Sequence, residues 1–201
     1  MLFGTDGIRG EVVDSPSDDE EAISQLLDDR MISARLMRVV GEALTRIAGM
    51  DNTVIIGWDD RPRNGELVAA LTVGLHLGGC KVIHAGICAT PGLHNSLFET
   101  NSSLGCMITA SHNPVSDSGI KVFDSKGFKT NPDLEREISE LIIQLAAEER
   151  EVDSSELAVL ERPDSVFDAD TAHQELLKIR YGEFSELFAP ILPTDIVLDS
   201  S

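Results

Sequence analysis

Over the first 150 residues the apolar positions switch between two rhythms. Ile32, Leu36, Val39, Val40 and Leu44 recur every three or four residues, with Arg35, Arg38, Glu42 and Arg46 between them, which predicts an amphipathic helix over 32–49. Thr53-Val54-Ile55-Ile56 is a short apolar run closed by Gly57, the pattern of a buried strand. Helical spacing returns over 65–77 and stops at Gly78-Gly79, and Lys81–Ala85 is the next predicted strand. Pro91 opens a short helix to about Phe98, and Leu104–Thr109 is a third strand. Ile120–Phe123 follows a Ser-Asp-Ser-Gly turn and reads as a fourth, shorter strand. Pro132 then starts a helix over 133–149 with Leu134, Ile138, Leu141, Ile142 and Leu145 on one face. Strand, helix and strand in succession, joined by few residues, predict right-handed crossovers. The expected fold is α/β: a mainly parallel, mixed sheet with helices on both faces.

Beyond residue 149 the pattern fades. Residues 150–166 are acidic and unpatterned and read as a linker, followed by a helix over 168–181 and a strand-like Ile196-Val197-Leu198. One helix and one strand cannot close a core. The expected division is therefore one domain over 1–160, with an acidic insertion at about 15–30, and over 161–201 a linker with the truncated start of a second domain.

Charge narrows the class of partner. The chain carries 16 Lys and Arg against 35 Asp and Glu, a net charge of −19. A nucleic-acid binder needs a basic face to displace counterions, and docking on an anionic membrane needs the same, so neither partner is expected. The charge is uneven: residues 14–29 carry −7 and residues 133–170 carry −10, leaving the remainder nearly neutral. Both acidic stretches read as solvated surface. The cysteines Cys80, Cys88 and Cys106 are odd in number, lie in apolar surroundings and form no CxxC pair. They read as reduced core residues of a cytoplasmic protein. No apolar run approaches a membrane span, and the N-terminus has no signal-peptide pattern.

Three segments place glycines and polar residues at strand ends, where the ligand crevice of a parallel α/β sheet lies. Gly4-Thr5-Asp6-Gly7-Ile8-Arg9-Gly10 lets main-chain N–H groups approach an anion and offers Arg9 as a phosphate fork, or is a flexible terminal loop. Gly57-Trp58-Asp59-Asp60-Arg61-Pro62-Arg63-Asn64-Gly65 joins a strand to a helix N-terminus. Its arginines could hold an anion there or be neutralised by Asp59 and Asp60. Thr109-Ala110-Ser111-His112-Asn113-Pro114, continuing to Gly119-Ile120-Lys121, delivers Ser111 to a loop, where it is a candidate nucleophile or carrier of a covalent group or part of an ordinary turn. No G-x-S-x-G elbow surrounds Ser111, so a hydrolase triad is not favoured. His76, His84, His94 and His173 stand alone in helix or strand patterns and read as structural.

Taken together, the opening Phe3–Gly10, Gly57-x-Asp59-x-Arg61, Thr90-Pro91, Thr109–Pro114 and Gly119-Ile120-Lys121 have the order and spacing of the α-D-phosphohexomutases. Within that superfamily the opening is most similar to the bacterial phosphoglucosamine mutase branch. The phosphomannomutase/phosphoglucomutase branch is the alternative, and a non-catalytic phosphosugar-binding module is a second. The resemblance implies the first domain of the phosphohexomutase architecture, with Ser111 as the phosphoserine and Lys121, Arg9 and His112 beside the reacting groups. Substrate or phosphate contacts are expected at Thr5, Gly7, Arg61, Asn113 and Gly119. The implied reaction interconverts glucosamine 6-phosphate and glucosamine 1-phosphate through a 1,6-bisphosphate, which also primes the serine. The implied cofactor is Mg2+, with the Ser111 phosphate as its one ligand from this chain. The substrate expected as partner is a phosphorylated hexosamine.

The sequence departs from the family in three places. Arg63 stands where the family usually has Ser, residues 15–30 lengthen a normally short connection, and no D-x-D-x-D metal loop is present. Family members are about twice this length, so the 201 residues by themselves are expected to be inactive.

Overall fold

A computed structural model describes residues 2–182 and 184. It contains β1 (Ile8–Val12), α1 (Asp19–Asp29), β2 (Met31–Ile32), α2 (Ala34–Ala48), β3 (Thr53–Trp58), α3 (Asn64–Leu77), β4 (Lys81–Ile87) and α4 (Thr90–Glu99). These are followed by β5 (Leu104–Ile108), β6 (Asp117–Asp124), α5 (Pro132–Ala147), α6 (Ser154–Leu160), β7 (Ser165–Val166) and α7 (Ala169–Gly182). The strands form one sheet in the order β2-β1-β6-β5-β3-β4-β7. All neighbouring pairs are parallel except those made by β6, which runs antiparallel to both β1 and β5.

The strand alternation of the sequence is muted because the central strands are covered on both sides, so their runs are apolar throughout. Leu104–Ile108 is buried along its whole length. One face of the sheet packs on α1, α2, α3 and α5 through Leu36, Val40, Leu44, Leu67, Leu71, Ile138 and Ile142. The other packs on α4 and α7 through Leu93, Leu97 and Ala169. This is the expected mixed sheet with helices on both faces.

The N-terminal motif is not a flexible loop from Ile8 onward. It is strand β1, which pairs with β6 as Ile8↔Ile120, Arg9↔Gly119, Gly10↔Ser118 and Glu11↔Asp117. Gly119 sits where a β-carbon would meet the Ile8 carbonyl oxygen at 2.2 Å, so the two strands approach as only glycine allows.

Two expectations about the acidic stretches need correction. Residues 15–30 are not wholly solvated: α1 buries Ala22, Ile23, Leu26 and even Asp19, which is 0% exposed. Asp18 caps the helix by accepting from the Glu21 N–H at 2.7 Å, and the acidic first turn suits the positive end of the helix dipole. Asp19 is buried because Arg38 of α2 donates to both of its oxygens, while Arg35 donates to Oδ1 at 3.0 Å. Arg38 also bonds Glu42, whose other oxygen takes Arg150 at 2.8 Å. A carboxylate leaves water only with such partners. A charge run therefore hid one buried ion network.

The stretch 150–166, expected as an unpatterned linker, holds α6 and β7. β7 extends the same sheet beside β4. It is held by Asp164, which accepts from the Val82 N–H at 2.7 Å and lies 3.1 Å from His76 Nε2. A seven-residue helix and a two-residue strand are too short to show periodicity, and their anchors come from distant residues. α7 packs on α4 but leaves Ile179 and Tyr181 mostly exposed. The expected strand at 196–198 lies outside the described residues.

Cys80, Cys88 and Cys106 are buried and unpaired, as expected. Burial raises all three thiols, Cys88 to about 11 and Cys106 to about 12. No helix among the described residues is long and apolar enough to cross a membrane.

Candidate active site around Ser111

β5 ends at Ile108 and hands the chain to an exposed loop at the carboxyl end of the parallel strands. Ser111 stands there with φ +57°, a left-handed conformation uncommon for a residue with a side chain. Its N–H is held by Thr109 Oγ1 at 3.0 Å, and that hydroxyl donates to Asp59 Oδ2 at 2.6 Å. The turn closes with the Asn113 N–H on the Ala110 carbonyl at 3.1 Å and the Asp117 N–H on the Pro114 carbonyl at 3.0 Å. Strained backbone persists where its surroundings over-determine it, and such positions cluster at functional sites.

Arg61 is the main clamp on this loop. Nε donates to Asp59 Oδ2 at 3.2 Å, Nη1 to the Pro114 and Asp117 carbonyls, and Nη2 to the Ser111 and Asn113 carbonyls at 2.7 and 3.0 Å. All five guanidinium N–H groups are therefore engaged by protein acceptors. A phosphate contact was expected of Arg61. Its geometry instead makes it a positioning residue that fixes the carbonyls around Ser111. Arg63 points elsewhere, to Glu66, to Asp14 at 3.0 Å and to the Val12 carbonyl at 2.9 Å.

The side chain of Ser111 meets two cations. Lys121 Nζ donates to Oγ at 3.1 Å and Arg9 Nη2 at 3.3 Å. The sheet register explains the convergence. Gly119 and Lys121 lie two apart on β6 and so share a face, and Arg9 pairs with Gly119 across the ladder. Both long side chains therefore project from one face, toward the loop that leaves the adjacent strand β5.

A third cation joins them. Asp6 Oδ2 bonds Arg9 and Lys121, the latter at 2.9 Å, while Oδ1 bonds Lys129. Burial pushes the Asp6 carboxyl up, but hydrogen bonds and charge from Lys129 and Lys121 outweigh it and bring it down to about 2. The carboxylate is therefore ionised at any ordinary pH. It hangs on a turn in which the Gly4 N–H donates to the Gly7 carbonyl at 2.8 Å. Gly7 has φ +95°, and a β-carbon there would meet the Ile120 carbonyl oxygen at 2.2 Å.

Of the residues expected at the site, Ser111, Lys121 and Arg9 come together. Gly7 and Gly119 serve the close approach of backbones, and the Asn113 amide donates to Asp117 Oδ2 at 2.9 Å. His112 and Thr5 are exposed, and neither side chain hydrogen-bonds another described residue. Asp6, Thr109 and Lys129 were not anticipated as site residues, and Asp59 only as a neutraliser of arginine charge. Lys129 arrives through the hairpin after β6, where it bridges back to Phe123. No local motif marks it.

Magnesium was expected to need carboxylates beyond Ser111. Among the described residues no three His, Cys, Asp or Glu side chains are grouped to hold an ion. Those nearest Ser111 Oγ are cations, so these residues do not fit the metal and no step is derived through it. A cavity of about 500 Å3 lies elsewhere, under α2 and α3, and its Arg35, Arg38 and Arg150 are already paired with carboxylates.

Comparison with known proteins bears on the family and the fold. Residues 1–149 match the family model described as phosphoglucomutase/phosphomannomutase, alpha/beta/alpha domain I. A phosphoglucosamine mutase of Listeria welshimeri is 40% identical over 140 residues, covering 70% of this chain and 28% of that protein. Its counterpart in Synechococcus sp. strain CC9311 is 37% identical over 138 residues, covering 69% and 27%. The chain thus spans under a third of the length of these relatives. A Thermus thermophilus structure described as a phosphomannomutase superposes with a TM-score of 0.64 at 26% identity, over 89% of this chain and 35% of that one. A Burkholderia thailandensis phosphoglucomutase/phosphomannomutase family protein shares the fold, with a TM-score of 0.58 at 22% identity over the same shares. With its Ser111 loop clamped at the end of β5 and its domain matched over residues 1–149, the chain belongs to the phosphoglucomutase/phosphomannomutase family, carrying the alpha/beta/alpha domain I.

Proposed function

We propose that Ser111 is a phosphoryl carrier in a phosphoglucosamine mutase reaction. In that reaction phosphate moves between O6 and O1 of glucosamine phosphate through a 1,6-bisphosphate. The observation that carries this reading is the convergence of Lys121 Nζ and Arg9 Nη2 on Ser111 Oγ. Phosphoryl transfer asks mainly for positioning and for cations where charge develops, and this site supplies both. As a sugar hydroxyl attacks the phosphoryl group, its oxygen bonds phosphorus while the Oγ–phosphorus bond breaks. The Lys121 ammonium aimed at Oγ gives that oxygen a proton, and the proton released by the sugar hydroxyl passes through water to restore Lys121. In the reverse direction the Lys121 amine takes the proton from Oγ. Arg9 offsets charge on the transferring group, while Arg61, Thr109 and Asp59 hold the serine in place. For Mg2+ the proposal goes no further than the phosphate on Ser111 as one ligand of the ion; the side chains that bond Ser111 Oγ are cations and add none.

Glucosamine is favoured because relatives at 36–40% identity carry the name phosphoglucosamine mutase. The phosphomannomutase description of the Thermus structure keeps mannose phosphate as the second reading.

Intact mass of the purified chain, before and after incubation with glucosamine 1,6-bisphosphate, tests the carrier role. The expected result is one added phosphoryl group in the wild type and none in Ser111→Ala. No phosphoryl group in the wild type, or equal labelling of both proteins, overturns it. The chain alone is expected to show negligible mutase turnover, and turnover lost in Ser111→Ala would refute that part. Coupled assays of the complete enzyme on glucosamine, mannose and glucose phosphates decide the sugar.

A further inference from the structure

Asp6 occupies an unusual place in the site. Every side-chain hydrogen bond it makes to a described residue goes to a cation: Arg9, Lys121 and Lys129. Its two oxygens divide them. Oδ2 takes the two cations that also touch Ser111 Oγ, and Oδ1 takes Lys129, which does not. Three positive charges therefore face one negative charge around an uncharged hydroxyl, an excess of two. A phosphoserine carries about −1.5 to −2 at neutral pH, which offsets that excess. Arg9 has a donor to spare as well, since its Nε is buried with no partner among the described residues. Asp59 does not alter this sum, because it is engaged with Arg61, Asn64 and Thr109.

We propose that Asp6 is a stand-in anion: its carboxylate holds Arg9 and Lys121 beside the free Ser111 hydroxyl and yields them when that hydroxyl carries a phosphoryl group. Lys129 then anchors Asp6 on its other oxygen and keeps the loop 4–7 from following the exchanged cations. Asp6 is thus a positioning residue that couples the charge of the loop to the phosphorylation state of Ser111. No bond is made or broken in the exchange. Charge-assisted hydrogen bonds move from a carboxylate to a phosphate, which offers more acceptor oxygens and more charge.

This inference rests on the reading of Ser111 as the phosphoryl carrier, and its test separates the two. Phosphoserine is installed genetically at position 111 of the 201-residue chain, so the experiment does not depend on transfer from a bisphosphate. Four proteins are compared: Ser111 and phosphoserine forms, each with and without Asp6→Asn. The expected result is a Tm loss from Asp6→Asn in the serine form, and a smaller loss or a gain in the phosphoserine form. Equal losses, or a greater loss in the phosphoserine form, overturn the proposal. Should the variant fail to fold, the carboxyl carbon of Asp6 is titrated by NMR in the otherwise unaltered chain. Its midpoint is expected to rise from about 2 on phosphorylation, and an unchanged midpoint overturns the proposal. A chain that refuses phosphoryl transfer from the bisphosphate, yet shows the coupling, would sink the carrier reading and leave the coupling standing.

Discussion

Replacing Arg61 by Met keeps an unbranched apolar stem and removes all five hydrogen-bond donors of the guanidinium. Three of the lost acceptors, the carbonyls of Ser111, Asn113 and Pro114, lie in exposed residues, so water replaces the guanidinium there. The less exposed loss is the pair with Asp59, which keeps Thr109 and Asn64 as donors. A hydrogen bond to a charged group contributes about 1.5–3 kcal/mol, so a net loss of about 2 kcal/mol is expected for the whole set. For a chain of this size that corresponds to a Tm decrease of about 4–8 °C. The local effect is larger. The backbone turn that holds Ser111 at positive φ loses its clamp, and amide exchange at Asn113 and Asp117 is expected to accelerate well beyond global opening. Arg61→Lys retains the charge without the planar fork and should recover little of the loop's protection. Calorimetry and residue-resolved hydrogen exchange on the ligand-free chain read both effects. A Tm within about 1 °C of the wild type together with unchanged exchange would refute the positioning role. Arg61 would then be free to contact a ligand directly.

Further measurements probe the frame around the site. Asp19→Ala leaves Arg38 buried with Glu42 alone, and breaking a buried pair costs about 3–5 kcal/mol, so a Tm loss of about 6 °C or more is expected. A loss under about 2 °C would mean the network adds little. Gly7→Ala combines a left-handed backbone with a clash at the Ile120 carbonyl, and urea unfolding should show about 3 kcal/mol of destabilisation, with an unchanged midpoint counting against the clash. Acid titration of stability should show two losses. His84, lowered by burial and by His76 to about 4 from 6.5, stabilises the fold above pH 6.5 and ceases to as pH falls toward 4. Asp6, ordinarily near 3.8 and lowered to about 2, does the same between those two values, and His84→Gln and Asp6→Asn should each erase their own window. With burial raising their thiols, Cys88 and Cys106 should resist an aromatic disulfide reagent until the chain unfolds, and rapid labelling at pH 8 would contradict their burial.

The helices α2, α3 and α5 and the strands β3, β4 and β5 were legible from periodicity because each is long enough, or apolar enough, to print its environment into the chain. The same is true of the Ser111 loop, whose Thr-Ala-Ser-His-Asn-Pro run marks a turn at a strand end. Strand β1 was hidden because the glycines at its start and within it, Gly7 close against the Ile120 carbonyl and Gly10 against the Arg30 carbonyl, are also what a flexible loop contains. Helix α1 was hidden by its charge. Asp19 reads as surface until Arg35 and Arg38, sixteen and nineteen residues away, are brought against it.

Sequence alone determined the fold class through its apolar rhythm. The local pattern put Ser111 on a turn after a buried strand without choosing between a carrier and an ordinary turn, and the resemblance of the combined motifs to the phosphohexomutases singled it out. It also placed Arg9 and Lys121 in the site, though not why they meet. Tertiary structure alone decided how the other charges are shared. It turned Arg61 from an anion fork into a clamp by bringing four carbonyl acceptors of the 111–117 loop against it, beside Asp59 of its own segment. It brought Arg9 and Lys121 onto one hydroxyl and joined both, with Lys129, to Asp6 across a sequence separation of up to 123. Coulomb attraction and hydrogen bonding depend on distance in space, and for such pairs distance in sequence carries almost no information.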